Sequence, residues 1–268
     1  MDILNAVNNV VASADDVEVI GRSELGKEIL AVHCGDLAGK QIIITAAIHA
    51  RECYTALVVL KQIELAKGLT GGGAYFVPLV NPDGAVFFES GDPQGARILE
   101  MFNSLYREWK ANARGVDLNT NFDANWGTGA QNVTVPGPSG YIGPYPFSET
   151  ETRALRALTE RVMPAATVSY HCMGGELYWQ FFQEGERLKR DREFAQKIAD
   201  YIGVKRVDGD LGSAGGYKDW CVQSLKIPAV TIELIKYGTH PFAPADFAED
   251  IERNKYLPQY MLDLLGNM

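Results

Sequence analysis

The chain is expected to be an α/β protein, a mixed or mostly parallel sheet flanked by helices, on three observations. Short β-branched runs alternate with helix-period stretches along its whole length. One run, Gln41-Ile42-Ile43-Ile44-Thr45-Ala46, is almost continuously apolar, as a strand covered on both faces requires. The order strand, helix, strand between residues 41 and 80 is that of a crossover unit. The 268 residues, 46% of them apolar, can build one sizeable core. No long linker, compositional break or repeat divides them, so residues 1–268 are expected to form a single domain.

In order, Val17-Glu18-Val19-Ile20 and Ile29-Leu30-Ala31-Val32 alternate like half-buried strands about the turn-rich Ser23 to Lys27. The strand 41–46 runs into Ile48-His49-Ala50-Arg51-Glu52. Leu57, Val58, Leu60, Ile63 and Leu65 then keep a helical period, closed by Gly68 and the glycines at 71–73. Tyr75 to Val80 is read as a strand ending at a turn, Asn81-Pro82-Asp83-Gly84. Residues 115–147, rich in Gly, Asn, Pro and aromatics, form a long loop, and a loop of that length in a compact domain points to a site wall. Ser148 and Glu151 have the spacing of a capping box, opening a helix through Thr159. Ala166 to Tyr170 is a strand ending at His171, and Leu177 to Phe181 another. A helix over 187–201, a strand over 228–234 and a closing helix over 244–265 complete the pattern.

Acidic residues exceed basic ones by 34 to 25, a net charge of −9, which argues against a nucleic-acid-binding face. The N-terminal residues lack a basic segment followed by an apolar one, and no window approaches the ~18 apolar residues of a membrane span. A soluble, cytoplasmic protein is the expectation. Cys34, Cys53, Cys172 and Cys221 are scattered without a CxxC pair, so free thiols are expected.

The chemistry-bearing residues fall at strand ends. His49-x-x-Glu52 follows the strand 41–46, His171 follows the strand 165–170, and Glu233 lies near the end of 228–234. Ligands gather at the carboxyl ends of strands in open α/β sheets, so these segments can converge. Two imidazoles and a carboxylate about an open position are the ligand set of hydrolytic zinc, which can acidify a water, and Glu233 would be the base. His33 and His240, the other histidines, show that an isolated histidine needs no metal.

From about Gly21 to Gly266 the sequence resembles the zinc metallocarboxypeptidases. Ile48-His49-Ala50-Arg51-Glu52 is similar to that family's first two zinc ligands with its substrate-binding arginine between them. Asn81-Pro82-Asp83-Gly84 resembles its structural turn, Gly115-Val116-Asp117-Leu118-Asn119 its substrate-carboxylate loop, and Gly143-Pro144 to Ser148-Glu149 the segment before its next helix. Ser169-Tyr170-His171 resembles its third ligand, and Ile227-Pro228 to Leu234 its catalytic glutamate strand. The resemblance implies a carboxypeptidase-like sheet of about eight strands, one Zn²⁺ held by His49, Glu52 and His171, and Glu233 as catalytic base. It also implies a tetrahedral oxyanion steadied by a cation, Lys110 first, since Trp109-Lys110 is similar to the family's tryptophan and oxyanion arginine, and Arg51 second.

The sequence departs from that pattern at two places. Thr120 follows Asn119 where carboxypeptidases carry an arginine that grips the substrate's terminal carboxylate, and threonine has neither the charge nor the fork. No tyrosine in Asp210-Leu211-Gly212-Ser213-Ala214-Gly215-Gly216 matches the family's mobile one. A narrower resemblance covers both: Trp109-Lys110-Ala111-Asn112 before the loop, Gly175-x-x-Tyr178-Trp179 after His171, and Gly216-Tyr217-Lys218-Asp219-Trp220 are similar to bacterial γ-D-glutamyl-L-diamino acid peptidases. That implies cleavage of the amide between γ-D-glutamate and meso-diaminopimelate or lysine in peptidoglycan-derived peptides. Asn119, Thr120, Tyr217 and Lys218 would contact substrate with Arg51, Lys218 reading an anionic side chain, and Tyr178, Trp179 and Trp126 would wall the site. A conventional carboxypeptidase of altered specificity and an inactive zinc- or muropeptide-binding relative are the alternatives.

Overall fold

The segments richest in β-branched and aromatic residues assemble into one sheet of eight strands in a computed structural model that describes residues 1–209 and 212–267. β1 (Val17–Arg22) and β2 (Glu28–Gly35) form a hairpin, and β2 pairs antiparallel with β4 (Gly72–Val77). β4, β3 (Lys40–Ala46), β5 (Ala166–Cys172) and β8 (Ala229–Leu234) run parallel to one another. β6 (Glu176–Tyr178) returns antiparallel to β8 and carries β7 (Lys205–Val207) at the edge. The order is β1-β2-β4-β3-β5-β8-β6-β7. As expected, β3 lies inside the sheet. Its Ile42 and Ile44 enter one core and Ile43 the other.

Helices cover both faces. α1 (Ile3–Val11), α2 (Ala56–Leu65), α3 (Pro82–Ser90), α4 (Arg97–Met101), α5 (Thr150–Val162), α6 (Gly185–Ile202), α7 (Tyr217–Trp220), α8 (Ala248–Asn254) and α9 (Leu257–Gly266) follow in chain order. α1, α2, α3, α6 and α9 bury their apolar stripes with Val32, Phe76, Val168 and Ile232 on one face. α5 and α7 pack with Ala31, Tyr75 and Val77 on the other. Among the described residues no helix is long and apolar enough to cross a membrane.

Several boundaries differ from expectation for identifiable reasons. The glycines at 72 and 73 open β4 instead of ending α2, and β4 stops at Val77 because Pro78 has no amide to continue the ladder. Asn81-Pro82-Asp83-Gly84 is the start of α3, not a turn: Asn81 Oδ1 caps Gly84 N at 3.0 Å and Pro82 occupies the first turn. The 244–265 helix is broken, with a 3₁₀ turn Pro244–Phe247, then α8, then α9 restarting at Leu257-Pro258. β6 ends at Tyr178, three residues before the expected limit.

The expected capping box at Ser148 does not form, because Ser148 Oγ donates instead to Glu149 Oε1 at 2.6 Å and Glu149 becomes the N-cap of α5. Beside it Glu151 is fully buried, accepting from Thr150 Oγ1 at 3.1 Å and Asn112 Nδ2 at 3.3 Å. Burial, then the neighbouring Glu24, Asp83 and Glu149 charges, push its carboxyl up to about 8. Because this lies above the unfolded value of about 4.3, its contribution to stability is fully present below that value. The contribution is lost as the pH rises through about 8, at most ~1.4 kcal/mol per pH unit. Glu151→Gln, neutral throughout, is expected to gain melting temperature relative to wild type between about pH 5 and about pH 9. A pH-independent difference between the two proteins would contradict that account.

Candidate metal centre and active site

The polar residues meet where the parallel strands end. After β3 the chain turns at Ala47 (φ 55°), whose amide donates to Thr55 Oγ1 at 3.0 Å, and His49 becomes the N-cap of the 3₁₀ turn Ala50–Thr55. Glu52 sits inside that turn at a non-helical φ of −102° and ψ of 18°. His171 is the penultimate residue of β5 and is paired with Glu233 of β8 in register. Cross-strand partners share a face of the sheet, so main-chain pairing sets the spacing of the third histidine and the glutamate.

His49, Glu52 and His171 are all buried and form a cluster that could hold a metal ion. Glu52 Oε1 lies 3.0 Å from His49 Nδ1, and Oε2 lies 3.2 Å from His171 Nδ1. His49 Nε2 lies 3.1 Å from Asp117 Oδ1, while Asp117 also accepts from Asn119 N at 3.2 Å and Gly140 N at 3.0 Å. A carboxylate on the far nitrogen places the proton at Nε2 and leaves the Nδ1 lone pair facing Glu52. That lone pair and a carboxylate oxygen repel each other at this distance unless a proton or a metal ion lies between them.

The charges respond accordingly. Burial opposes charging of His49, but Glu52 and then Asp117 outweigh it and raise the ring to about 9. Burial likewise opposes ionisation of Glu52 and Asp117, yet His49 holds each well below the usual carboxylate range. His171 is lowered by burial. Its Nε2 is buried with no hydrogen-bond partner among the described residues, so the polar contact that orients this ring is the one its Nδ1 makes with Glu52. Two imidazole nitrogens converging on one carboxylate suit zinc.

Above the cluster a cleft of about 560 Å³ is lined by His49, Arg51, Lys110, Asn119, Thr120, Tyr178 and Glu233, among others. Lys110 Nζ lies 3.9 Å from Glu52 Oε1, and the Lys110 carbonyl accepts from Ala50 N at 3.0 Å. The Arg51 amide donates to Trp109 O at 2.8 Å, and its Nε is buried without a partner among the described residues. Glu233 is half-buried, and burial, then the Glu52 charge, raise it to about 8. A carboxyl in that range can both take and return a proton near neutral pH.

A second pocket of about 190 Å³ shares Asn119, Tyr178 and Glu233 with the cleft and adds Lys218, Asp219, Gln180 and Thr231. Lys218 is not a solvated surface residue: it is only 8% exposed, ion-paired with Asp219 Oδ1 at 2.5 Å and donating to Gln180 O at 3.1 Å. Thr120 spends its hydroxyl on Asp117 O at 2.8 Å. Gly215 presses on this loop. At its φ of 79° an added Cβ would sit 2.5 Å from Thr120 O, so only glycine fits.

Other expected contacts fall elsewhere. Tyr217 does not reach the cleft: its ring is buried between Phe122 and Trp220 and its hydroxyl pairs with Thr159 Oγ1 at 2.9 Å. Only its amide approaches, donating to Asn119 Oδ1 at 3.1 Å. Trp126 is half-buried with its indole on Ile142 O at 3.0 Å and does not line the cleft, whereas Tyr178 and Trp179 line the smaller pocket. Of the stretch expected to lack the mobile tyrosine, Asp210 and Leu211 lie outside the described residues. Sequence reasoning missed Asp117 as the residue that orients His49. Its one signal was an aspartate inside Gly115-Val116-Asp117-Leu118-Asn119.

Residues 2–256 match the family model described as zinc carboxypeptidase. The chain is 30% identical to gamma-D-glutamyl-L-diamino acid endopeptidase 1 of Lysinibacillus sphaericus over 85% of its own length and 62% of that protein's. It is 31% identical to the uncharacterized protein YqgT of Bacillus subtilis (strain 168), over 85% and 67% of the two chains. It thus spans under two thirds of the first relative's length. Among solved structures it superposes on murein-tripeptide amidase MpaA from Escherichia coli O157 with 25% identity, a TM-score of 0.60, and 94% and 92% of the chains covered. Bovine thrombin-activatable fibrinolysis inhibitor, 18% identical, shares the fold with a TM-score of 0.81 over 99% and 97%.

Proposed function

We propose, for a chain that belongs to the zinc carboxypeptidase family and is therefore a zinc-dependent hydrolase, that it cuts the amide between γ-D-glutamate and meso-diaminopimelate or L-lysine in peptidoglycan-derived peptides. The observation that carries this reading is the pocket beside Glu233, where Lys218 and Asp219 stand as a buried ion pair. The distal end of diaminopimelate bears an ammonium and a carboxylate, the complement of that pair. Lys218 has three donors, of which Gln180 O takes one, while Asp219 Oδ1 faces the ammonium as an ion-pair partner. The relative that cleaves γ-D-glutamyl-L-diamino acid peptides and the murein-tripeptide amidase neighbour support the same substrate class. Thr120, with its hydroxyl engaged, offers no grip on a terminal carboxylate.

His49, Glu52 and His171 would hold the zinc, with Asp117 fixing the His49 ring. When bound, the metal supplies a Lewis acid that polarises the scissile carbonyl and lowers the pKa of water towards ~7. Glu233 takes a proton from the attacking water as its oxygen bonds to the amide carbon. The same carboxyl then gives that proton to the amine as the C–N bond breaks. Lys110, with Arg51 beside it, places positive charge where the carbonyl oxygen becomes anionic, and such a donor is worth about 10²–10³ in rate.

Offering the protein a diaminopimelate muropeptide and a blocked dipeptide with a free C-terminus, with and without chelator, tests the reading. Faster muropeptide cleavage, abolished by chelator, is expected. Faster dipeptide cleavage would favour conventional C-terminal trimming. Lys218→Ala is expected to reduce kcat/KM on diaminopimelate substrates by about tenfold or more, the scale of one charge-assisted hydrogen bond, while sparing lysine substrates. Equal losses on both would remove Lys218 from substrate recognition.

A further inference from the structure

Between β8 and α8 the chain makes an excursion over residues 235–247 that the reaction above does not use. Its entrance is tied by the Ile235 amide on Asp250 Oδ2 at 2.9 Å. Its exit is tied by the Ala243 amide on Asp246 Oδ2 at 2.7 Å, after which the 3₁₀ turn Pro244–Phe247 packs on the turn Ala50–Thr55 that carries Glu52. Between these ties His240 turns inward. Its ring lies edge-on to the buried Phe242, centroids 4.7 Å apart, and its Nε2 lies 3.1 Å from the carbonyl oxygen of Cys172.

A ring nitrogen facing a carbonyl must carry the hydrogen, so Nε2 is the donor. Cys172 follows His171 directly, and its own amide donates to Glu52 Oε2 at 3.2 Å. A line of two hydrogen bonds therefore runs from His240, through the main chain of one residue, to the carboxylate between the two histidines. The residue so gripped is the chain neighbour of one member of the metal cluster and holds another in place.

We infer that His240 is a positioning residue of the metal centre: by fixing the Cys172 backbone it holds Glu52 and His171 in the arrangement that receives zinc. The inference rests on His49, Glu52 and His171 being the ligands. Partners one step behind metal ligands commonly carry 10–100-fold in metal affinity, because they remove the freedom of the ligand to turn away. A residue that only anchored the loop would instead affect the stability of the metal-free protein and leave its zinc affinity unchanged.

The two roles separate in one set of measurements on the full chain: zinc affinity by competition with a chromogenic chelator, and the melting temperature of the metal-free protein. His240→Ala and His240→Asn, neither of which can reach the Cys172 carbonyl, are expected to bind zinc about 10–100-fold more weakly. His240→Gln, whose amide nitrogen extends to the place of Nε2, is expected to restore wild-type affinity, with all metal-free melting temperatures alike. Wild-type zinc affinity in the Ala and Asn variants, or a Gln variant as weak as Ala, would overturn the inference. If His240→Ala fails to fold, the Asn and Gln variants carry the same comparison. His171→Ala run alongside tests the ligand assignment separately: undiminished zinc binding there would overturn that assignment instead.

Discussion

Glu233→Gln is expected to lower kcat on the preferred peptide by about 10²–10⁴, the range that a positioned general acid–base group supplies, while the protein still binds zinc. Glutamine keeps the size and shape of the side chain, so the pairing of β5 with β8 and the cleft wall remain. What disappears is the ability to hold a proton. That ability depends on setting: burial lifts the Glu233 carboxyl above the ordinary carboxylate range, towards the pH at which a proton is readily exchanged. Single-turnover kinetics with zinc content measured on the same sample would check the prediction. Turnover within tenfold of wild type at full zinc content would mean that another group moves the proton.

Removing the metal is expected to have the second large effect. His171→Ala, or wild type treated with chelator, should lose hydrolysis to below detection, and returning zinc should restore the chelated wild type only. Stability should follow. A metal present at a thousand times its dissociation constant stabilises the fold by about 4 kcal/mol, which for a protein near this size is on the order of 10 °C in melting temperature. The spacing gives the reason: Glu52 lies 3.0 Å and 3.2 Å from two imidazole nitrogens in a buried site, and a proton or a metal ion must lie between such groups. A melting temperature indifferent to chelator would show that the cluster does not bind zinc in the folded protein.

The features legible in the sequence are those that local pattern determines. Ile42 to Ala46 could only be an inner strand, and His49, Glu52, His171 and Glu233 stand out because each closes a strand-like run. The features that escaped depend on partners far along the chain. Asp117 lies 68 residues from the histidine it orients, and no spacing rule joins them. The resemblance gives Lys218 an anionic side chain to read, and only folding brings Gln180, 38 residues away, to its ammonium. The resemblance of Gly216-Tyr217-Lys218-Asp219-Trp220 puts Tyr217 at the substrate together with Lys218. One residue step in a helix rotates the side chain by about 100°, which sends the phenol into the core and the lysine into the pocket. Asn81 and Pro82 carry the N-cap and first-turn signals of α3, which reading Asn81-Pro82-Asp83-Gly84 as a turn passes over.

The pairing of His171 with Glu233 across adjacent strands carries a consequence for how such an enzyme can diverge. On the proposed mechanism, the spacing of the third histidine and the base follows the peptide ladder, whereas the cleft walls come from the 115–147 stretch and the neighbourhood of Lys218. Those walls can therefore be exchanged without altering the strand register that pairs His171 with Glu233. The exchange has one fixed hinge. Asp117 lies at the root of the variable stretch, so a grafted replacement that omits it would release His49.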